Sequence, residues 1–460
     1  MMKRYLLIVF VSLIGMYAAA QSAPDQRIQW LKNDRLGLFL HWGLYSEAAG
    51  DWKGRKAQGA DHFMMRERIP LKEYAKIAKT FNPVDYSAME WVRAAKHTGL
   101  KYIVITTKHH DGFSMFDSKC SDYDIVDCTP FAKDPMADLA EACHKEGIKL
   151  GFYYSLGRDW EDPDVPTNWP TKGGRSNTWD YPDEDAKDLS AYIERKVKPQ
   201  LRELLTNYGK VDIIWFDTPE MVTEQQSKEI RELILSLQPE CLINDRIGNN
   251  MGDYATVEQK LTDEIDRGLW EGCLKMGANW GYNRYDTVYA GPDMIVRYMT
   301  DMVSKGGNML LNIGPDNKGR FPKLTEPIMN GLHHWLKANG EAIYGTEPWR
   351  IYGENFDPNN VEEKVDAEFH DAIYNGLPQN AAPDFRYTVK GKKVYIIVRH
   401  VPATSFTLRA FKAEDRIRSI KCLSEKTKVT WDLTDDGLAV HLSNPVNSFP
   451  VYVLQVTMKE

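Results

Sequence analysis

The sequence predicts an irregular (β/α)8-type (TIM-like) barrel followed by a C-terminal antiparallel β-sandwich. Short apolar runs alternate with amphipathic stretches of helical period from Leu36 to about Gly345, a pattern that is typical of βα units in a parallel sheet. After Trp349 apolar and polar residues alternate with a period of two, which is typical of antiparallel strands. The length of 460 residues suits one large barrel and an accessory domain.

Seven apolar runs are the predicted barrel strands. They are Leu36–His41, Tyr102–Thr107, Lys149–Tyr154, Val211–Asp217, Leu242–Asp245, Trp270–Leu274 and Asn308–Ile313. The sixth and seventh of these runs are weak, so the barrel is expected to be irregular on that side. A doubly wound sheet is the competing arrangement, but the segment Phe39–Gly43 is not the glycine-rich first turn that such a sheet normally has.

Apolar residues at i, i+3 and i+4 predict amphipathic helices between these runs. They cover Tyr86–Thr98, Met136–Glu146, Leu189–Asn207, Glu224–Leu237, Met294–Ser304 and Lys323–Asn339. In the C-terminal part, Tyr387–Tyr395 has the pattern of a strand, a turn and a second strand. The other predicted strands there are Phe406–Arg409, Val429–Asp432, Leu438–Leu442 and Val451–Val456.

The first twenty residues have the composition of a signal peptide. Lys3 and Arg4 precede an apolar run that ends in small residues at Ala20, and this run is short for a membrane span. We therefore predict cleavage after Ala20 and an exported protein, periplasmic or secreted, with no membrane partner. The predicted division is a signal peptide over residues 1–20, a catalytic barrel over 21–348 and a β-sandwich over 349–460.

The composition excludes several classes of partner. Lys and Arg number 58 against 65 Asp and Glu, so the net charge of −7 offers no basic field for nucleic acid or anionic lipid. The 13 Trp and 23 Tyr supply faces on which sugars stack. The six cysteines form no CxxC pair and no metal-ligand spacing. Cys120 and Cys128 could form a disulfide, but free thiols are the favoured interpretation.

Reactive side chains follow most of the predicted strands, where a barrel carries its chemistry. They are His41, His109, His110, Asp111, Tyr153, Tyr154, Trp215, Asp217, Asn244, Asp245, Arg246, Glu271 and Asn312. Any one of them alone would be explained as a helix cap or as part of a barrel-filling layer. Their repetition at successive strand ends indicates an active site.

Asp217 is the strongest single candidate, because the apolar run Val211–Phe216 delivers it to the barrel mouth. Its alternative role is the N-cap of the following helix. A carboxylate beside Trp215 needs hydrogen-bond donors to stay ionised, and neighbouring His and Arg side chains supply them. These surroundings suit a carboxylate nucleophile.

The histidines do not predict a metal centre. A zinc or binuclear barrel site generally needs a close histidine pair on the first strand, and only His41 is there. His109 and His110 would point to opposite faces of an extended strand, so we expect them to bind hydroxyl groups instead. No metal and no cofactor are predicted.

A nucleophile that attacks carbon needs a second carboxyl group to protonate the leaving oxygen. Glu258 and Glu271 are the candidates, and both lie in the loop-rich stretch Gly248–Tyr285. The apolar rings of Trp270 and Trp280 would raise the pKa of a glutamate there toward that of a general acid.

Eight short stretches between Ile28 and Trp349 form one specific set of motifs. They are Gly37–Gly43, Thr107–Phe113, Tyr153–Ser155, Trp215–Asp217, Asn244–Arg246, Trp270–Glu271, Trp280–Tyr282 and Gly307–Pro315. The set resembles the α-L-fucosidases of glycoside hydrolase family 29. This resemblance implies an irregular catalytic barrel with a β-sandwich, and hydrolysis of terminal α-L-fucosides on glycans.

The resemblance also implies roles for individual residues. Asp217 would be the nucleophile of a retaining mechanism, Glu258 is favoured as the acid/base, and Glu271 is the alternative. Contacts to fucose hydroxyls or to the nucleophile are implied for His41, His109, His110, Tyr154, Trp215 and Arg246, and packing near the C6 methyl for Trp280.

One departure from the family pattern bears on specificity. This chain has Asp61 and His62 where many members carry Glu-Trp, so contacts near the C4 hydroxyl or the C6 end of the sugar are expected to differ. A pocket relaxed at C6 would admit L-galactose, which makes an α-L-galactosidase the alternative. A catalytically inactive carbohydrate-binding protein is the other alternative, and it gains if neither Glu258 nor Glu271 comes within about 5–5.5 Å of Asp217.

Overall fold

The computed structural model describes residues 26–166, 177–259, 265–266, 268–355, 384–399 and 404–459. The predicted signal peptide over residues 1–20 lies outside this described part. Within the described part, no helix combines the length and the apolar character that crossing a bilayer requires.

Eight strands form one parallel sheet. In chain order they are β1 Leu36–Leu40, β2 Tyr102–Lys108, β3 Lys149–Ser155, β4 Ile213–Asp217, β5 Leu242–Ile243, β6 Ala255–Glu258, β7 Trp270–Lys275 and β8 Asn308–Ile313. They are ordered β5-β4-β3-β2-β1-β8-β7-β6 in the sheet. A parallel bridge between Asn244 and Tyr254 links the two edge strands, so the sheet curls round on itself. The predicted TIM-like fold class is confirmed.

The irregular side of the barrel is the side of β5 and β6. Strand β5 has only two residues, because Asp245–Ile247 turns into a 3-10 helix instead of extending the strand as predicted. Strand β6 was missed from the sequence, since its residues are exposed or half-buried and form no apolar run. It pairs in parallel with β7 along its whole length.

Helices pack outside the sheet close to the predicted positions. The α-helices are 26–34, Tyr45–Ala48, Phe63–Arg66, Leu71–Tyr74, Ala88–Thr98, Ile125–Cys128, Pro135–Glu146, Leu189–Tyr192, Lys198–Thr206, Glu224–Leu237, Pro292–Ser304 and Glu326–Asn339. The 3-10 helices are Ala75–Lys79, Glu184–Ala186, Asp245–Ile247, Lys323–Thr325 and Gly340–Ala342, and Ile193–Val197 is a π-helical turn within the predicted helix Leu189–Asn207.

Two antiparallel sheets form the C-terminal sandwich. One contains Glu347–Asn355, Asp384–Lys390, Lys393–Val398, Tyr452–Met458 and Ile417–Cys422 in that order, and the other contains Ser405–Leu408, Gly437–Leu442 and Val429–Thr434. Their facing side chains share one apolar core. The strands Glu347–Asn355 and Ile417–Cys422 were not predicted, and the first of them spans the predicted boundary at 348/349.

Alternation along the barrel strands separates an inner from an outer layer of side chains. Phe39, Tyr153 and Trp215 belong to a cluster inside the barrel, whereas Tyr154 and Phe216 belong to the core between the sheet and the helices. The inner layer therefore forms the floor below the carboxyl ends of the strands. All six cysteines, Cys120 and Cys128 included, are free thiols.

Candidate active site

A cavity of about 340 Å³ opens at the carboxyl ends of the barrel strands. Most of the predicted site residues line it: His41, Asp61, His62, His109, His110, Trp215, Asp217, Arg246, Glu258 and Trp280. Seven further residues line it without a predicted contact to the sugar or role in catalysis: Phe39, Tyr153, Arg158, Thr218, Pro219, Glu220 and Cys273, of which Tyr153 was named only among the strand ends. Tyr154 and Glu271 were predicted but do not line it.

Asp217 is the last residue of β4, and its carboxylate is surrounded by donors. Oδ1 accepts hydrogen bonds from Arg246 Nη1 at 2.7 Å and from the backbone N–H of Thr218 at 2.9 Å. Oδ2 accepts one from the hydroxyl of Tyr153 at 2.8 Å. Burial alone would raise the pKa of Asp217, but the charge and hydrogen bond of Arg246, with help from Tyr153, outweigh it and lower the pKa. Asp217 is therefore held ionised.

His109 and His110 both face the pocket that contains the carboxylate of Asp217. Strand β2 ends at Lys108, so His109 and His110 lie in a turn, and their ring centres are 4.2 Å apart. The expectation that they point to opposite faces is wrong, because it assumed that the strand continues. His110 Nδ1 lies 2.6 Å from Ser155 Oγ, and its Nε2 lies 3.5 Å from Asp217 Oδ2.

The histidines are neutral and available for hydrogen bonding. Burial lowers the pKa of His41 to about 4 and holds the pKa values of His109 and His110 well below their usual range. His41 Nδ1 donates to Asn312 Oδ1 at 2.7 Å, which leaves Nε2 as the acceptor nitrogen of the ring. The buried Nδ1 of His109 has no hydrogen-bond partner among the described residues.

Asp61 and His62 form a pair next to the other histidines, with the ring centres of His62 and His110 5.0 Å apart. His62 Nδ1 donates to Asp61 Oδ2 at 2.5 Å, and Asp61 Oδ1 accepts from the backbone N–H of Gly281 at 3.2 Å. Burial would raise the pKa of Asp61, but the charge and hydrogen bond of His62 hold it well below its usual range. The protein itself therefore engages both oxygens of this carboxylate.

Aromatic rings supply the apolar part of the pocket. Tyr153 and Trp215 stack with ring centres 5.6 Å apart, and Phe39 packs 5.0 Å from Trp215 and 6.0 Å from Trp280. The guanidinium of Arg246 lies 4.9 Å from the centre of the Trp215 ring. Trp215 therefore supports the arginine that holds the carboxylate of Asp217.

Tyr154 is the one predicted pocket residue on the wrong side of its strand. Its hydroxyl donates to Gln200 Oε1 at 2.8 Å, and Lys108 Nζ lies 4.4 Å from the centre of its ring. Successive side chains of β3 point to opposite faces, so Tyr153 takes the position by Asp217 that the resemblance assigned to Tyr154.

The two candidate glutamates differ in access to the cavity. Glu258 ends β6 at the mouth, where its side chain is 43% exposed and its Oε2 lies 3.2 Å from Arg246 Nη2. Arg246 thus contacts Asp217 with one terminal nitrogen and Glu258 with the other. Arg246 is itself fixed by a hydrogen bond from Nε to Thr256 Oγ1 at 3.0 Å.

Glu271 lies buried below the cavity. Its Oε2 accepts a hydrogen bond from the Tyr102 hydroxyl at 2.5 Å, and its Oε1 accepts one from Trp215 Nε1 at 2.9 Å. Burial raises the pKa of Glu271 to about 7, against the effect of these two hydrogen bonds. Such a pKa would suit a general acid, but the carboxyl group lines no part of the pocket and contacts Asp217 only through intervening side chains.

Four of the missed residues, Arg158, Thr218, Pro219 and Glu220, come from loops whose course no periodicity encodes, and the other three lie in β1, β3 and β7. Arg158 is buried and donates to Glu220 Oε1 at 2.8 Å, so the loops after β3 and β4 are tied together beside Asp217. Tyr153 and Tyr154 both stand at the end of a predicted strand, but nothing in the sequence indicates which ring faces inward. Within the described ranges, no cluster of three or more His, Cys, Asp or Glu side chains is arranged to hold a metal ion.

Comparisons with known proteins all point to one family. A family model described as alpha-L-fucosidase matches residues 15–341. The chain is 30% identical over 367 residues to an alpha-L-fucosidase of Branchiostoma floridae, covering 74% of this chain and 77% of that protein. The structure of alpha-L-fucosidase isoenzyme 1 from Paenibacillus thiaminolyticus is 32% identical, with a TM-score of 0.79 and coverage of 95% of this chain and 100% of that one. Alpha-L-fucosidase AlfC from Lactobacillus casei, in complex with its α-L-fucose product, is 38% identical with a TM-score of 0.63, covering 67% of this chain and 97% of that one.

Proposed function

The chain belongs to the alpha-L-fucosidase family, glycoside hydrolase family 29, and on that premise we propose that it hydrolyses terminal α-L-fucosides of glycans by double displacement. In this proposal Asp217 is the nucleophile and Glu258 is the acid/base. The observation that carries it is the ionised carboxylate of Asp217, held in the pocket by Arg246 and Tyr153.

In the first step, Asp217 attacks the anomeric carbon while Glu258 gives its proton to the leaving oxygen. The glycosidic bond breaks and an ester bond to Asp217 forms, which releases the aglycone as an alcohol. In the second step, Glu258 takes a proton from water, the water oxygen attacks the anomeric carbon, and Asp217 leaves as a carboxylate. Two inversions give net retention of configuration.

Access supports Glu258 over Glu271 as the acid/base. A general acid must come within hydrogen-bond reach of the leaving oxygen, directly or through one water. Glu258 lines the mouth of the pocket, whereas both oxygens of Glu271 are engaged by Tyr102 and Trp215 below it. We assign Glu271 the role of fixing the indole of Trp215.

The remaining pocket residues support the binding of a small deoxy sugar. The unpartnered Nδ1 of buried His109 and the acceptor nitrogen of His41 can take up sugar hydroxyl groups. Phe39 and Trp280 supply an apolar wall against which the C6 methyl group of fucose can pack. The AlfC relative carries α-L-fucose in its complex, and we extend that ligand to this chain.

Azide rescue tests the two assignments. Asp217→Ala should abolish hydrolysis of an aryl α-L-fucoside, and azide should restore turnover with a fucosyl azide of inverted configuration. Glu258→Ala with azide should instead give a fucosyl azide of retained configuration, because azide then attacks the covalent intermediate. Near-normal turnover by Asp217→Ala would refute the nucleophile assignment, and a retained azide product from Glu271→Ala would reverse the acid/base assignment.

A substrate comparison tests the sugar. The aryl α-L-fucoside should be hydrolysed with a higher kcat/KM than the aryl α-L-galactoside, since the added hydroxyl group would have to lie against the apolar wall. A preference for the galactoside would instead support the α-L-galactosidase alternative, with Asp61 and His62 as the residues to exchange.

We also propose that the protein acts after export, with residues 1–20 removed, residues 21–348 carrying the activity and residues 349–460 covering the barrel. Sequencing the amino terminus of the protein secreted by its own cell type tests the first part, and the expected first residue is Gln21.

A further inference from the structure

A second cavity of about 610 Å³ adjoins the candidate sugar pocket. The two share four lining residues, Asp61, His62, Glu258 and Trp280. In the proposed function Glu258 protonates the leaving oxygen, so the leaving part of the substrate must lie beside Glu258. The second cavity occupies that position, and we call it the aglycone cavity.

Lys275 lines the aglycone cavity and is almost completely buried, with 7% of its surface exposed. It is the last residue of β7, and its Nζ donates one hydrogen bond, to the backbone oxygen of Ala278 at 2.9 Å. No carboxylate of the described residues lies within ion-pair distance of it. An ammonium group has three donors and is costly to bury without an anion, so this one is suited to receive an anionic ligand.

Arg66 is the second cation of the aglycone cavity. It is exposed, and the described part of the chain gives its guanidinium no ion pair or hydrogen bond. Its neighbour Arg55, by contrast, is paired with Glu67 at 2.5 Å. Arg66 therefore has its donors available to a ligand.

The acidic residues of the same cavity are already engaged. Asp61 accepts from His62 and from the backbone of Gly281, and Glu258 accepts from Arg246. The cavity thus contains two cations with no carboxylate of the described residues within ion-pair distance, and two carboxyl groups that already have hydrogen-bond partners.

The loop segment 53–68, six of whose residues line this cavity, is basic although the chain as a whole is acidic. Residues 53–68 contain five Lys or Arg and two Asp or Glu, whereas the whole chain has a net charge of −7. All five basic residues of this loop are exposed. A local positive field of this kind attracts anions to the mouth of the site.

We propose that the aglycone cavity binds an anionic group, a sulfate ester or a carboxylate, on the sugar that leaves, with Lys275 and Arg66 as its contacts. This inference rests on the proposed function, because it places the leaving sugar beside Glu258. The protein would then release α-L-fucose preferentially from sulfated or uronic-acid-containing glycans.

Three matched disaccharides test the inference. They are an α-L-fucosyl hexose, the same disaccharide with a 6-O-sulfate on the hexose, and its counterpart with a C6 carboxylate on the hexose. All three have the same linkage, which is the one that the enzyme cleaves fastest among neutral disaccharides. We expect kcat/KM for at least one anionic disaccharide to exceed that for the neutral one about fivefold or more at low salt. Comparing kcat/KM for the sulfated and the carboxylated disaccharide shows which of the two anionic groups the cavity binds.

Variants assign the preference to the two cations. Lys275→Met and Arg66→Met should each bring the ratio of anionic to neutral kcat/KM toward one. Arg68→Met is the matched control, since Arg68 is an exposed cation of the same loop that lies over Trp179 and does not line the cavity. If Lys275→Met fails to fold, the variant of exposed Arg66 still tests the inference. A measurement in 0.5 M salt is a further test, because the Debye length is then only a few Å and the anionic preference should be lost.

The possible failures can be told apart. Hydrolysis of 4-nitrophenyl α-L-fucoside and of the neutral disaccharide without any anionic preference would overturn this inference alone. An anionic preference that survives both Lys275→Met and Arg66→Met would also overturn it. Absence of hydrolysis of every α-L-fucoside would overturn the proposed function and this inference with it.

Discussion

Nη1 of Arg246 lies 2.7 Å from Oδ1 of Asp217, inside a pocket where burial alone would favour the protonated acid. The same guanidinium contacts Glu258 with Nη2 at 3.2 Å. One arginine therefore keeps the proposed nucleophile ionised and fixes its position relative to the proposed acid/base.

Arg246→Met should move the acidic limb of the pH profile to higher pH. The charge of Arg246 lowers the pKa of Asp217 against the effect of burial. When that charge is removed, burial raises the pKa of Asp217, so Asp217 is protonated and activity is lost at a higher pH than in the native protein. We expect the acidic limb of kcat/KM for an aryl α-L-fucoside to rise by about 1–3 pH units. Arg68→Met, a loop cation outside the pocket, should leave the limb in place. An unmoved limb in Arg246→Met would show that Arg246 does not set the ionisation of Asp217.

The adjacent tyrosines of β3 provide a matched pair of variants. Tyr153→Phe removes a hydrogen bond to Asp217 Oδ2 and should lower kcat/KM about 10- to 100-fold, since hydrogen bonds to charged groups contribute about 1.5–3 kcal/mol. Tyr154→Phe leaves Gln200 Oε1 without that donor and should reduce the free energy of unfolding by about 1–3 kcal/mol, with kcat/KM within about threefold of native. Steady-state kinetics and urea unfolding measure both. The reverse pattern would show that Tyr154, and not Tyr153, acts on Asp217.

Glu258→Gln should affect substrates according to their leaving group. For a fucosyl disaccharide, kcat/KM should fall roughly 10²- to 10⁴-fold, because the sugar alcohol needs a proton to leave. For 2,4-dinitrophenyl α-L-fucoside the fall in kcat/KM should be far smaller, because dinitrophenolate leaves without one. Glu232→Gln, on an exposed helix face, is the control. Equal losses for both substrates would exclude Glu258 as the general acid.

Glu271→Gln should change stability in a pH-dependent way and leave catalysis largely intact. Burial raises the pKa of Glu271 from 4.5 to about 7, so the native state holds this proton where the unfolded chain has lost it. Stability from this group is therefore present at low pH and is lost as pH rises from about 4.5 to 7, by up to about 3 kcal/mol. The Tm of Glu271→Gln minus that of the native protein should increase between pH 5 and pH 8. A constant difference, or a loss of activity as large as that of Glu258→Gln, would contradict this role.

The barrel was predictable because its strands are buried on both faces and form apolar runs, as in Tyr102–Lys108 and Asn308–Ile313. Strand Ala255–Glu258 was not, since its exposed and half-buried side chains give no such run. The sandwich strand Ile417–Cys422 was missed for a similar reason, because only Ile417, Ile420 and Cys422 of its residues are buried.

The polar residues at strand ends correctly predicted most of the pocket. Two features could not be predicted from them: which face of β3 points inward, and how His109 and His110 are oriented. The side of β3 that faces inward is fixed by its register with β4, where Ser155 lies opposite Asp217. The orientation of His109 and His110 depends on where β2 stops. Likewise, nothing in the spacing of Glu258 and Glu271 shows that only Glu258 reaches the cavity.

Trapping the covalent intermediate tests the central claim most directly. The protein would be inactivated with 2-deoxy-2-fluoro-α-L-fucosyl fluoride, digested with a protease and examined by tandem mass spectrometry. We predict a single fluorofucosyl ester on the peptide that contains Asp217, and no label in Asp217→Ala. A label on Glu258 or Glu271, or labelling of Asp217→Ala at the native rate, would contradict the assignment of Asp217 as the nucleophile.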